Sequence, residues 1–133
     1  MAGQIKKTGL GDWIGSFFTT FSDISPIFLI LLVVVIVVFL TELTSNQATT
    51  ATFVPIMFGV AMGIGFDKAQ VAIPVALAAS CAFMLPVATP PNAIVYGSEK
   101  FTISEMMKAG FYINIIGIVV VTIFAAFVLP VVL

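Results

Sequence analysis

The sequence is poor in the residues that build most catalytic and metal sites. It contains no histidine, no arginine and a single cysteine, Cys81, and only 8% of its 133 residues are charged. Zinc and hydrolytic sites need clustered histidine, cysteine or carboxylate side chains, and one cysteine cannot form an internal disulfide. A few lysines without a basic run do not match the charge of a nucleic-acid backbone. We therefore expect no enzyme, no cofactor and no nucleic-acid partner.

Apolar residues dominate what is present. Hydrophobic residues make up 61% of the chain, and the mean hydropathy is +1.24, whereas soluble domains are only about half apolar. A water-soluble fold of this size could not bury so much apolar surface. Since a spanning helix needs about 20 residues, the chain has room for about three or four membrane-crossing elements. The composition predicts an all-α integral membrane protein that crosses the cell inner (plasma) membrane several times.

Residues 1–24 are expected to form a polar segment followed by an amphipathic helix at the membrane interface. Aromatic and aliphatic residues recur at helical spacing from Leu10 to Phe21, with polar residues between them. Trp13 is expected at the lipid headgroups, where indole rings are enriched. The polar interruptions disfavour a cleaved signal peptide.

Residues 25–65 have the pattern of two short apolar arms around a polar tip. Pro26–Leu40 is almost wholly aliphatic, the polar stretch 41–47 follows, and Ala48–Ile64 is apolar again. Each arm is shorter than the roughly 20 residues needed to cross a bilayer at low tilt. The pattern predicts a re-entrant helical hairpin, and one ordinary helix that ends at a polar loop is the alternative.

The next segment predicts a transmembrane helix broken by proline. The run Gln70–Leu85 is followed by residues 86–92, which read PVATPPN. Proline lacks an amide proton and clashes with the preceding turn, so the helix is expected to stop at Leu85. Asn92 is expected to cap a new half-helix over Ala93–Gly97. The predicted organisation is an N-terminal segment (1–24) and a membrane unit (25–133) made of the hairpin (25–65), the broken helix (69–97) and a final transmembrane helix (104–133).

Interrupted helices at membrane depth supply the chemistry of an ion site. Unpaired backbone groups in hydrocarbon cost several kcal/mol each, so such breaks survive only inside protein or beside water. Carbonyls at a helix C-terminus attract a small cation, and amides at a helix N-terminus attract a carboxylate. Hydroxyl and amide side chains can ligate both, or they can merely cap helix ends, and the pattern alone leaves both readings open. The candidates are Thr41, Thr44, Ser45, Asn46 and Thr89.

Two further polar residues stand in apolar surroundings. Glu42 lies beside the hairpin tip, where an acidic group at membrane depth indicates a functional role. The alternative is that Glu42 reaches an aqueous vestibule or pairs with a lysine. Asn114 in the final helix is expected to make an interhelical hydrogen bond rather than to bind a ligand.

The residues at the two breaks resemble a known transporter family. Residues 45–50 read SNQATT, and residues 80–95 read SCAFMLPVATPPNAIV. Both stretches are similar to motifs of the divalent anion/sodium symporter family, whose members carry succinate, citrate and related dicarboxylates with sodium. That family has two inverted repeats, each with a re-entrant hairpin and a proline-broken helix, and this chain resembles the second repeat.

The resemblance implies a set of site residues. The implied sodium ligands, several of them main-chain carbonyls, are Thr41, Thr44, Asn46, Ala88 and Pro90. The implied substrate contacts are Ser45, Asn46, Gln47, Thr89 and Pro90, the last of which shapes the loop. Gln47 stands where the family motif often has threonine, so we expect a difference in substrate size or charge preference.

The resemblance also implies that this chain holds half of a transport site. A second tip similar to Ser-Asn-Thr does not occur in the sequence. We expect the chain to lie in the lipid bilayer, to work with a missing N-terminal half or another chain, to be homo-oligomeric when complete, and to move its substrate by an elevator-like motion. The alternative, from another class, is a small membrane interaction protein that does not transport.

Overall fold

The computed structural model describes residue 9 and residues 25–133, and the described chain is helical. The elements are α1 (Pro26–Thr41), α2 (Asn46–Ile64), α3 (Lys68–Ala79), α4 (Pro90–Gly97), α5 (Ile103–Ile123), a π-helical turn (Phe124–Val128) and α6 (Leu129–Val132). The last three are continuous, and we call them the last helix, Ile103–Val132. The interfacial helix expected over Leu10–Phe21 lies outside the described residues.

Local sequence explains where several helices begin and end. Pro26 occupies the first turn of α1, where its missing amide proton costs nothing. The last helix begins one residue before the expected start because Thr102 and Glu105 form a capping box. In it, the Thr102 N–H donates to Glu105 Oε2 at 2.8 Å, and the Glu105 N–H donates to Thr102 Oγ1 at 3.3 Å. α2 ends at Ile64 and is capped by Gly65, whose φ of 74° suits glycine.

α3 lies at the centre of the described fold. It contacts α1, α2 and the last helix. Small and β-branched residues fill the shared core, so that the helix backbones approach closely, which favours helix association in a membrane. The largest fully buried apolar side chains are Val34, Val37, Val38, Val60, Val71 and Val75.

The outer surface and the helix lengths fit a membrane protein. Large apolar side chains face outward along the last helix, where Ile116 is 62% and Phe127 is 68% exposed. Within residues 25–133, the last helix is the one helix long and apolar enough to span a bilayer. α1 has 16 residues and α3 has 12, which corresponds to about 24 and 18 Å against a hydrocarbon core of roughly 30 Å.

The first break, between α1 and α2, covers residues 42–45. The polar tip expected at residues 41–47 is therefore shorter in the structure, because Thr41 still belongs to α1 and Asn46 already belongs to α2. Ser45 starts α2 as its N-cap, since its Oγ accepts a hydrogen bond from the Ala48 N–H at 3.1 Å.

The second break is longer than the sequence predicts. α3 ends at Ala79, so the expected end at Leu85 is wrong. Prolines explain only the later part of this break. A proline disturbs the helical turn that precedes it, and the first proline within the break is Pro86. The earlier part has another cause, which lies at the end of α1.

The start of α4 also differs from the prediction. α4 begins at Pro90 rather than at Ala93, and Thr89 is its N-cap, with Oγ1 accepting from the Asn92 N–H at 3.4 Å. The expected capping role of Asn92 is wrong because its side chain is used elsewhere. Asn92 Nδ2 donates to the carbonyls of Ala82 and Leu85, at 2.9 and 3.0 Å, and so ties the unwound chain to α4.

Thr41 and Glu42 interrupt α3 because they bind the acceptor and the donor of one hydrogen bond that a continuous helix would contain. In a continuing α3, the Phe83 N–H would donate to the Ala79 carbonyl. Instead, the Ala79 carbonyl accepts from the Thr41 hydroxyl at 2.8 Å, and the Phe83 N–H donates to Glu42 Oε1 at 2.8 Å. Two adjacent residues at the end of α1 therefore replace the bond that would carry α3 forward.

Glu42 is the most heavily bonded side chain of the described fold. Its Oε1 also accepts from the Met84 N–H at 2.9 Å and from Asn114 Nδ2 at 2.7 Å, and its Oε2 accepts from the Leu85 N–H at 3.1 Å. The side chain is only 3% exposed. It thus binds backbone amides, rather than water in a vestibule or a lysine. The interhelical hydrogen bond expected of Asn114 is confirmed.

We expect Glu42→Gln to lower the free energy of unfolding by about 2 to 4 kcal/mol, because it turns an NH2 donor towards buried backbone donors. Unfolding by SDS titration in mixed micelles measures this change. Glu105→Gln is the matched control, since glutamine also completes a capping box, and we expect a change below about 0.5 kcal/mol. Equal stability of the two variants would contradict the assignment of Glu42.

Candidate functional site

The first part of the candidate site is the hairpin tip. Thr44 donates its hydroxyl to the Leu40 carbonyl at 3.0 Å, and its Oγ1 lies 2.6 Å from that of Thr49. Ser45 caps α2 and is exposed, as is the neighbouring Gln47. The tip therefore presents several neutral oxygen atoms at the N-terminus of a helix, which carries partial positive charge.

Asn46 joins this tip to the end of α1. Its Oδ1 position lies 2.9 Å from Thr41 Oγ1. The Thr41 hydroxyl has one proton, and the Ala79 carbonyl already accepts it at 2.8 Å. The contact is satisfied when the Asn46 amide is turned so that its NH2 group donates to Thr41 Oγ1. Asn46 thereby joins the start of α2 to the junction of α1 and α3.

The second part of the candidate site lies where the unwound segment, which we define as residues 80–89, meets α4. Ala88 is half-buried, and its N–H donates to the Leu85 carbonyl at 3.1 Å. Thr89 is the N-cap of α4, and Pro90 is its first residue. α4 opens with Pro90 and Pro91, which have no N–H, and the Asn92 N–H donates to Thr89 Oγ1. This second helix N-terminus therefore offers the partial positive charge of the helix dipole and a threonine hydroxyl rather than free amides.

The two parts are held together by the end of α1. The Thr41–Ala79 hydrogen bond brings the C-termini of α1 and α3 into contact. Ser45 follows Glu42 by three residues, and Thr89 follows Leu85, whose N–H binds Glu42, by four. Each helix N-terminus therefore lies within about 14 Å of a residue in the hydrogen bonds of Glu42, at about 3.5 Å per extended residue. Two partly negative and two partly positive helix ends therefore share one small region.

The structure brings some of the predicted site residues into direct contact and links others indirectly. Thr41 contacts Asn46, and Thr89 and Pro90 adjoin at the start of α4. The two groups are connected through Glu42, the unwound segment and Asn92. Within residues 25–133, no group of three or more histidine, cysteine or acidic side chains is placed to hold a metal ion. Apart from the Glu42 carboxylate, the polar side chains at the two breaks carry uncharged hydroxyl and amide groups.

Sequence reasoning missed how Glu42 and Asn92 act. The sequence indicates a role for Glu42, because an acidic side chain stands in apolar surroundings. It does not indicate the partners of Glu42, which are backbone amides about forty residues away. Asn92 was assigned to a cap, although a buried asparagine with two amide protons can also bridge two carbonyls. Gly110 gives no signal in the sequence beyond its small size. Only the packing shows that an added Cβ there would overlap the backbone of Phe83 and Met84.

Comparisons with known proteins identify the family. Residues 1–133 match the model of the sodium:sulfate symporter transmembrane region. The chain is 40% identical over 133 residues to proteins named sodium-dependent dicarboxylate transporter SdcS from Staphylococcus aureus strains USA300 and COL. These matches cover 100% of this chain and 26% of each relative, so the chain spans about a quarter of the length of those relatives. Its relatives are transporters, not enzymes, and the chain belongs to the divalent anion/sodium symporter family.

Proposed function

We propose that the chain takes part in sodium-coupled transport of dicarboxylates and supplies one sodium site and half of the substrate site. The observation that carries the proposal is the junction of two helix breaks through Thr41 and Glu42. A dicarboxylate is the substrate class because the relatives at 40% identity are named sodium-dependent dicarboxylate transporters. Buried backbone polar groups at both breaks offer the dipoles that such a substrate and its coupling ion require.

The proposed sodium site uses neutral oxygens from both breaks. Oxygen ligands replace water around a hard cation, and the C-terminal ends of α1 and α3 add partial negative charge. The fixed Glu42 carboxylate lies beside Thr41 and adds one negative charge close to the ion. The proposed ligands are Thr41, Thr44, Asn46, Ala88 and Pro90.

The proposed substrate contacts lie at the two helix N-termini. Ser45 and Thr89 cap α2 and α4. At α2 the amides of the first turn attract a carboxylate, whereas α4 begins with two prolines and contributes its dipole and the Thr89 hydroxyl. Asn46 belongs to both the proposed sodium site and the proposed substrate site. Its amide oxygen can bind sodium while neighbouring residues bind the substrate. Gln47, exposed in the first turn of α2, adds a longer amide that limits the space for substrate. Pro90 fixes the course of the chain at the start of α4.

The proposed mechanism is secondary transport by an elevator-like motion. Sodium binds first, neutralises part of the field of Glu42 and orders the two breaks, and a dicarboxylate then docks between the helix N-termini. The hairpin formed by α1 and α2 is re-entrant in this proposal, since α1 is shorter than the bilayer core is thick. The complete transporter lies in the cell inner membrane as a homo-oligomer.

The second half of the substrate site comes from another hairpin tip. The second carboxylate of a dicarboxylate needs its own donors, because one cluster of helix N-termini serves one end of the molecule. We infer that a second tip similar to Ser-Asn-Thr, supplied by an N-terminal half or by another chain, completes the site.

We expect Asn46→Ala to raise the half-saturating sodium concentration about tenfold, as the loss of one ligand worth roughly 1.4 kcal/mol requires. The measurement is the temperature of half unfolding of the chain in lipid nanodiscs, titrated with Na⁺ at constant ionic strength. Gln47→Ala is the control, since it changes the adjacent exposed side chain and no proposed sodium ligand.

Two outcomes would contradict the sodium site. The Asn46→Ala variant would keep the sodium titration curve of the unsubstituted chain, or K⁺ would stabilise the chain as well as Na⁺ does. Either outcome favours a purely structural role for the polar residues at the breaks.

We expect liposomes that hold only this chain to accumulate no labelled succinate under an inward sodium gradient, because the substrate site is half formed. The S. aureus relative SdcS, reconstituted in the same way, is the positive control, and protein-free liposomes give the background. Accumulation by this chain alone would show that the proposal of a half site is wrong.

A further inference from the structure

The last helix approaches the unwound segment through a glycine. A Cβ atom added to Gly110 would overlap the Phe83 carbonyl group and lie 2.6 Å from the Met84 Cα. Both obstacles are backbone atoms, so no side chain can move aside to accept the methyl group. Gly110 therefore lets the main chain of the last helix lie directly against the main chain of the unwound segment.

One turn further along the last helix, Asn114 holds Glu42. The Asn114 side chain is 0% exposed, and its Nδ2 donates to Glu42 Oε1 at 2.7 Å. Its Oδ1 has no hydrogen-bond partner among the described residues. A buried acceptor without a partner is costly, and an apolar residue of similar volume would avoid that cost. The contact with Glu42 is therefore what accounts for asparagine at this position.

Gly110 and Asn114 act on the same short piece of chain. They are four residues apart, so they lie on one face of the last helix. The Phe83 N–H binds Glu42, and the Phe83 carbonyl lies against Gly110. The unwound segment is thus held on one side by a carboxylate from α1 and on the other by the last helix.

We propose that Gly110 and Asn114 are positioning residues, which hold the unwound segment on Glu42 and thereby set the sodium affinity of the chain. The functional part of this inference rests on the proposed sodium site. The proposed ligands Ala88 and Pro90 follow the held residues, and Thr41 and Asn46 flank Glu42. If the segment detaches, fewer molecules are competent to bind sodium, and the apparent affinity falls by that fraction.

The experiment compares Gly110→Ala and Asn114→Ala with the unsubstituted chain in lipid nanodiscs. The first readout is the rate of hydrogen–deuterium exchange, without sodium, in the peptide that covers residues 80–89. The second readout is the half-saturating sodium concentration for thermal stabilisation. We expect both to rise about tenfold in Gly110→Ala and by a smaller factor in Asn114→Ala. If Gly110→Ala does not fold, Asn114→Ala supplies both readouts.

Two controls separate positioning from general stability. Gly117→Ala lies on the same helix and also faces the unwound segment, but its new Cβ would meet the side chain of Cys81, with Sγ at 3.3 Å, rather than the backbone. It therefore tests whether the effect requires contact with the main chain of the segment. Val121→Ala removes volume from the buried core about three helical turns beyond Gly110. We expect each control to leave the half-saturating sodium concentration within about twofold of the unsubstituted chain, although Val121→Ala lowers overall stability.

The outcomes distinguish this inference from the proposed function. Unchanged exchange in residues 80–89 of Gly110→Ala and Asn114→Ala overturns the inference. Faster exchange with an unchanged sodium curve overturns it too, as does a Val121→Ala effect on sodium as large as that of Gly110→Ala. If the unsubstituted chain shows no response to sodium, the proposed function fails, and the exchange rates alone then decide whether Gly110 and Asn114 hold the segment.

Discussion

The Phe83 amide and the Ala79 carbonyl would bond to each other in a continuous α3, but they bond instead to Glu42 and Thr41. This exchange of partners ends α3 at Ala79, seven residues before Pro86, the first proline of the break, and leaves a non-helical segment in an apolar protein. Unpaired backbone groups are costly there, and the structure provides side-chain partners for the amides of residues 83–85 and for the carbonyls of Ala79, Ala82 and Leu85. The same exchange of partners positions both helix N-termini, since α2 begins four residues after Glu42 and α4 begins directly after the unwound segment.

The arrangement concentrates a single buried charge in a site otherwise built of neutral groups. Glu42 is satisfied by three backbone amides and Asn114, so its charge is fixed in position and has no lysine partner among the residues described. A fixed anion with neutral oxygens nearby favours a monovalent cation, and the bound cation offsets the repulsion that an incoming carboxylate would meet. Within the function we propose, this order of binding, with the cation first and the carboxylate second, couples sodium to substrate.

Much of this architecture could be predicted from the sequence, and the errors have clear physical causes. The all-helical membrane class, the first-turn proline of α1 and the interhelical role of Asn114 follow from composition and local pattern. The end of α3 could not be predicted, because residues 80–85 are apolar and helix-compatible, and their interruption depends on Thr41 and Glu42 far away in sequence. The capping of α4 by Thr89 was missed since Asn92 is an equally good cap by type. The tight contact at Gly110 depends on three-dimensional packing alone.

A structure determined in Na⁺ and again in choline, at a resolution that shows bound ions, would show whether the two breaks form a sodium site around the fixed Glu42 carboxylate. We predict an ion in the Na⁺ structure that is bound by the Asn46 amide oxygen and the Ala88 carbonyl, with Glu42 bonded to the amides of residues 83–85. An α3 that continues as regular helix through residue 85, or the absence of any ion between the two breaks in Na⁺, would contradict this prediction.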